Sequence, residues 1–265
     1  MAMVLDPVTI AGLILAGFAG AAINGVVGAG TLITFPTLLA AGAPPVIANG
    51  TNTLGLSIGS WSSAFAYRDE LRGRRRVVIP ALIGSAVGAA FGALLVIMLP
   101  DEVFSAAVPW LILAAVVLVA LQPVVAGYVR RRAVHVSGGS DTDDTQRQRP
   151  RTLTLAIGAS GVYGGYFGAG QGVVLMAVLG WLYDSSPQHA NAAKNLFAAT
   201  ANITAALVFV VTGRVWWWAA ALLAIGALAG GTVGARGARR LRPGALRAAV
   251  IGIGVIAAIV AWWRW

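Results

Sequence analysis

The sequence predicts an all-α integral membrane protein built as two inverted repeats with glycine-interrupted or re-entrant helices, about 8–10 membrane segments in all. Three observations carry this prediction. The 265 residues are 58% hydrophobic and only 11% charged, with a mean hydropathy of +0.80, whereas a soluble domain carries about a quarter of its residues as Asp, Glu, Lys and Arg. Sixteen of the 18 arginines fall in three short clusters, Arg68–Arg76, Arg130–Arg151 and Arg236–Arg247. A glycine motif recurs at an offset of 140 residues, Gly25-Val-Val-Gly28-Ala-Gly30-Thr31 against Gly165-Tyr-Phe-Gly168-Ala-Gly170-Gln171.

The same composition excludes several classes. The absence of Cys removes disulfide scaffolds, Cys-ligated metals and thiol catalysis, and two His with nine acidic residues make a metal site or other cofactor unexpected. A net charge of +10 would suit a nucleic-acid binder, but such proteins are rarely so apolar. Short loops rich in Lys and Arg stay in the cytoplasm, so the arginines are read as an orientation signal.

The elements follow in order. Val8–Ala43 is a composite region broken at Gly25–Gly30, whose second part, Thr31–Ala43, is too short for a comfortable crossing. It begins at Asp6 with no basic flank, so a cleaved signal peptide is not expected. Val46–Tyr67 is long enough to span but polar, and Val77–Leu99 and Val103–Gly127 are clean spans. Val134–Pro150, with Gly138, Gly139, Ser140, Asp141, Asp143 and Asp144, reads as a flexible linker. Thr152–Tyr183 is the second composite, broken at Gly164–Gly172, and the polar span His189–Thr212 and clean spans Val215–Ala235 and Ala248–Trp263 complete the chain. The organisation expected is a first repeat over 1–129, a cytoplasmic linker over 130–151 and a second repeat over 152–265.

The register supports the repeat further along. Asn49-Gly-Thr51-Asn52 faces Ala192-Ala-Lys194-Asn195, and the ladder Gly84, Gly88, Gly92 faces Gly226, Gly230, Gly234. Such small-residue ladders let helices approach closely in lipid, where hydrophobicity drives no helix–helix contact. An odd number of crossings per half inverts the second relative to the first, and counting from the cytoplasmic arginine clusters puts both termini outside. Interrupted helices in inverted repeats place a transporter's substrate near the membrane midplane. Trp216, Trp217, Trp218, Trp262, Trp263 and Trp265 gather at the expected outer ends as an aromatic belt.

The polar residues at depth point to an anion. All nine acidic residues lie in loops or at segment ends, which disfavours a carboxylate-coupled cation carrier and an aspartyl protease. Lys194, the only lysine, sits inside a span, with Asn191, Asn195 and Asn202 on the same broad helical face. Asn49, Thr51 and Asn52 occupy the matching segment. A cation with amide and hydroxyl donors and no acid beside it suits an anion, and half-helices starting at Gly28, Gly30 and Thr31, and at Gly168, Gly170 and Gln171, would add N–H groups and positive dipole ends. Competing against this are a Lys194 that snorkels to the headgroups and asparagines that only bridge helices. His189, at a span's edge, reads as interfacial. The alternatives are an anion channel, an assembly factor for a larger membrane complex, or an intramembrane serine hydrolase using Ser60 or Ser160 with His189; the last lacks a Gly-x-Ser-x-Gly elbow.

At these residues the chain resembles the sulfite exporter TauE/SafE family, also called the toluene sulfonate uptake permease family. The match lies in Ala22-Ile-Asn24-Gly25 through Gly30, Pro36 and Ala48–Asn52, then in Gly164-Gly165-Tyr-Phe-Gly168-Ala-Gly170-Gln171-Gly172 and Ala190-Asn191-Ala-Ala-Lys194-Asn195. Both motifs depart from the commoner four-glycine form, with Ala29 and Thr31, then Ala169 and Gln171. The resemblance implies a permease of the bacterial inner membrane, not an enzyme, for sulfite, a sulfonate or a related oxyanion. The partners expected are that small anion and the lipid bilayer, without nucleic acid; a homo-oligomer is allowed.

Overall fold

The computed structural model describes residues 6–26, 28–66, 71, 74–136, 150–183, 187–237 and 243–264. They form ten α-helices: α1 (Pro7–Val26), α2 (Thr31–Ala40), α3 (Pro45–Ala66), α4 (Arg75–Met98), α5 (Asp101–Val136), α6 (Pro150–Tyr166), α7 (Gln171–Leu182), α8 (Pro187–Val211), α9 (Trp217–Gly237) and α10 (Pro243–Arg264). Most of the linker Val134–Pro150 falls outside the described residues, as do Arg68, Arg72, Arg147, Arg149, Arg239, Arg240, Arg242 and Trp265.

Local chemistry sets the helix ends. Half of the helices, α1, α3, α6, α8 and α10, begin at a proline, whose fixed φ suits the first helical position and whose missing N–H is not needed there. Asp6 caps α1, accepting from the Thr9 N–H at 2.8 Å; the Thr9 hydroxyl first, and this backbone bond second, hold its carboxyl below the usual range. Gly42 and Gly213, with φ of +91° and +69°, follow α2 and α8. Proline is also carried inside α2, α4 and α5, at Pro36, Pro80, Pro109 and Pro123, as membrane helices tolerate when neighbours satisfy the freed backbone.

Among the described residues, five helices are long and apolar enough to cross a membrane: Pro7–Asn24, Arg75–Met98, Asp101–Tyr128, Gln188–Val211 and Gly244–Trp263. Two of the expected boundaries shift. The first composite divides into a full-length apolar helix, α1, and a short one, α2, and the second into the 17-residue α6 and 12-residue α7. Gly164 and Gly165 are helical because the second break falls later, at Phe167–Gly170. The span expected to end at Gly127 continues as helix to Val136.

The glycine ladders find their partners across the sequence. A methyl group on Gly88 or Gly92 of α4 would collide with the backbone of Gly158 or Val162 of α6, and one on Gly226 or Gly230 of α9 with that of Ile14 or Phe18 of α1. Thus α4 lies against α6 and α9 against α1, backbone to backbone, as small residues permit in lipid. The packing of Gly234 lies outside the described residues. The outward faces carry Ile79, Ile83, Val87, Phe91, Ile256 and Trp263, all exposed, an apolar coat whose natural solvent is hydrocarbon. The core is sealed by aromatic pairs: Phe35 of α2 meets Phe167 edge-on at 5.2 Å, and Phe104 of α5 meets Tyr166 at 5.6 Å.

Candidate functional site

The two breaks meet inside the molecule. Gly28, with φ of +77°, faces Gly172 so closely that a methyl on either would lie 2.8 Å from the other's Cα. Gly168 and Gly170 also hold positive φ, 74° and 76°, and turn the chain from α6 into α7. Around this contact α1, α3, α8 and the first residues of α2 and α7 enclose a cavity. Its wall includes Asn24 and Gly28; Thr31; Asn52, Thr53, Leu56, Gly59 and Ser60; Phe167, Gly168, Gln171 and Gly172; and Lys194, Asn195, Ala198 and Asn202.

Of the residues expected at the site, Lys194, Asn195, Gln171, Gly168, Gly28, Thr31 and Asn52 are brought together on that wall. Asn191, Gly30, Gly170, Asn49 and Thr51 are not, and four of them hold the surrounding frame. Asn49 donates to the Tyr166 carbonyl at 2.9 Å, tying α3 to α6, and Thr51 accepts from the Trp216 N–H at 2.9 Å, tying α3 to the start of α9. Gly30 packs on the Gly20 backbone, and Gly170 stands before α7 against Leu118 and Ala115. Asn191 is half-buried elsewhere on α8. Asn24, Thr53, Ser60 and Asn202 join the wall instead. Their signal is helical spacing: Asn52, Leu56, Gly59 and Ser60, and Asn195, Ala198 and Asn202, each fall along one stripe.

Lys194 does not snorkel. It is 4% exposed, and among the described residues no carboxylate, carbonyl or hydroxyl pairs with it. The described acids, Asp6, Asp101 and Glu102, sit at helix starts, and Asp101 pairs with Arg214 at 3.1 Å. Beside Lys194, the Asn195 Nδ2 is buried without an acceptor. A lysine at the centre of a membrane helix costs about 2.5–3.5 kcal/mol on insertion scales, more than an interhelical hydrogen bond of about 1 kcal/mol returns. An unpaired one therefore demands a ligand or water.

Other polar groups are already committed. The Asn52 Nδ2 donates to Thr31 Oγ1 at 3.3 Å, and its Oδ1 accepts from the Thr34 hydroxyl; Asn52 clips α2 onto α3. The free N–H groups expected at the half-helix starts are mostly engaged. Leu32, Ile33 and Thr34 donate to the Ala29 and Gly30 carbonyls, and Gln171 and Val173 to those of Gly168 and Gly170. These tight turns satisfy the donors that a straight helix start leaves open. The Ser–His pair that a hydrolase needs is not assembled: Ser60 is bonded to Leu56 and Asn202, the Ser160 hydroxyl has no partner, and His189 faces Arg74 at 3.3 Å.

The profile of the sulfite exporter TauE/SafE family matches residues 13–261. The chain belongs to this family. Its relatives include the probable membrane transporter protein ORF9 of a Sinorhizobium species, 30% identical over 87% of this chain and 85% of the relative. A probable membrane transporter protein of Haemophilus influenzae is 27% identical over 84% and 83%, and the probable membrane transporter protein YfcA of Escherichia coli K12 is 29% identical over 86% and 81%. No solved structure matches. As a TauE/SafE protein with several long apolar helices, the chain is a multi-pass membrane transporter.

Proposed function

We propose that this TauE/SafE protein is a secondary permease of the bacterial inner membrane for a small oxyanion, sulfite or a sulfonate being the first candidates. The observation that carries the reading is Lys194, buried on the wall of a cavity with no partner among the described residues. The ammonium supplies the charge, Asn195 Nδ2 and the Thr31 hydroxyl supply donors, and α7 turns its positive end toward the same space. Gly28 and Gly168 bring the two breaks to the ligand, while Asn52 positions α2. The arginine clusters face the cytoplasm and both termini face outward, by the bias of basic loops.

Alternating access requires part of the fold to move around the site. Because α1 is locked to α9 and α4 to α6, the moving units are these interlocked bundles, which mix residues 1–129 and 152–265. The test is flux of sulfite and small sulfonates into proteoliposomes by wild type, Lys194→Ala and Lys194→Arg. Saturable flux with trans-stimulation in wild type and its loss in the alanine variant are expected. Wild-type rates in Lys194→Ala would overturn the assignment.

A further inference from the structure

The cavity wall carries fixed hydrogen-bond acceptors as well as the cation. Gln171 Nε2 donates to the Ser160 carbonyl at 3.0 Å. A carbonyl only accepts, so the amide cannot flip without setting oxygen against oxygen, and the orientation is decided by chemistry. Gln171 Oε1 is thereby turned away from Ser160, and among the described residues no protein donor meets it. The side chain lies flat on Gly164, where a methyl group would meet its amide, so it has no room to retreat.

Asn202 is hydrogen-bonded as well, here to a hydroxyl. The Ser60 hydroxyl gives its proton to the Leu56 carbonyl at 3.1 Å, leaving its oxygen to accept from Asn202 Nδ2 at 3.1 Å. In this arrangement Asn202 Oδ1 has no donor among the described residues. Both residues line the cavity with Lys194 and Asn195. A bare oxyanion only accepts hydrogen bonds; it would satisfy Lys194 and Asn195 and set its lone pairs against these two carbonyl oxygens.

We infer that the ligand is a small anion carrying its own hydrogen-bond donor, an O–H or N–H, with the charged end at Lys194 and Asn195 and the donor shared with Gln171 Oε1 or Asn202 Oδ1. The inference rests on the oxyanion reading above and narrows it to hydroxyl- or amine-bearing anions. A site built to hydrogen-bond a ligand's O–H discriminates against the analogue without it, because the wall's acceptor is then buried unpaired.

The test uses matched pairs on the full-length protein in nanodiscs: 2-hydroxyethanesulfonate against ethanesulfonate, and glycolate against acetate, with binding followed by calorimetry. At least one hydroxylated member should bind about tenfold or more tightly than its partner. Gln171→Met, or Asn202→Ala if the first variant does not fold, should reduce that ratio to below about threefold, and Lys194→Gln should weaken both members of the pair. Equal affinity within each pair in wild type overturns the donor inference and leaves the oxyanion reading standing. Absence of binding by all four probes, and by sulfite, overturns the oxyanion reading and this inference with it.

Discussion

Gly28 and Gly172, 144 positions apart in sequence, meet Cα against Cα with no room for a methyl group on either. Gly28→Ala and Gly172→Ala should therefore both destabilise the protein, by about 1–3 kcal/mol for the forced overlap. Gly28→Ala should be the worse of the two, since its φ of +77° adds about 1–2 kcal/mol for a side chain held in left-handed backbone. Gly127→Ala, at an open position, is the control. The Tm of each purified variant in one detergent checks the order, and a wild-type Tm for Gly172→Ala would remove the contact from the account.

Lys194 is expected to oppose stability. With no partner among the described residues, its charge is an uncompensated cost in the interior. Lys194→Met, similar in length and uncharged, should match or exceed the wild-type Tm while losing anion binding. A Tm several degrees lower would mean that Lys194 holds the fold together, contrary to its lack of partners.

Asn52 on α3 and Asn195 on α8 are aligned in the sequence register, yet their bonds differ. Asn52 is engaged at both ends of its amide, whereas the Asn195 Nδ2 has nothing to donate to. Asn52→Leu should cost about 1–3 kcal/mol, because the hydroxyls of α2 lose their partner. Asn195→Leu should cost little stability and weaken ligand affinity. Thermal melts of the two variants, read with a binding titration, separate a clip from a contact.

The Arg214–Asp101 ion pair spans 3.1 Å, but its side chains are 35% and 48% exposed. Exposed pairs of this kind contribute about 0–1 kcal/mol, so Asp101→Asn should leave the Tm within a few degrees of wild type. A large loss would assign the turns between α4 and α5 and between α8 and α9 a clamping role that their exposure argues against.

The helical class was legible because burial in lipid needs long apolar runs, and the glycine ladders were legible because only close approach explains them. Which helices approach was not: Gly88 announces a near neighbour, but only the fold reveals it as Gly158, and Gly226 likewise meets Ile14. At the site, Lys194, Asn195 and Gln171 were legible as polar residues where lipid should exclude them. Asn49 and Thr51 look identical by that criterion, yet their side chains are bonded to Tyr166 and Trp216 in neighbouring elements. Spacing reports the face of one helix; whether that face meets a cavity or a neighbouring backbone depends on elements more than a hundred residues away. Ser60 illustrates the same limit, since its partner Asn202 gives it an acceptor's role that no local pattern contains.

The seam between α1 and α9 also sets a timetable. The glycines that receive the backbone of Pro7–Val26 lie in Trp217–Gly237, made long after it. At about 5–20 residues per second, the first helix must remain in the bilayer for roughly ten to forty seconds before its closest neighbour emerges. During that interval Ile14 and Phe18 present bare backbone to lipid or to an insertion factor, so the newborn chain is open to mispairing until α9 arrives.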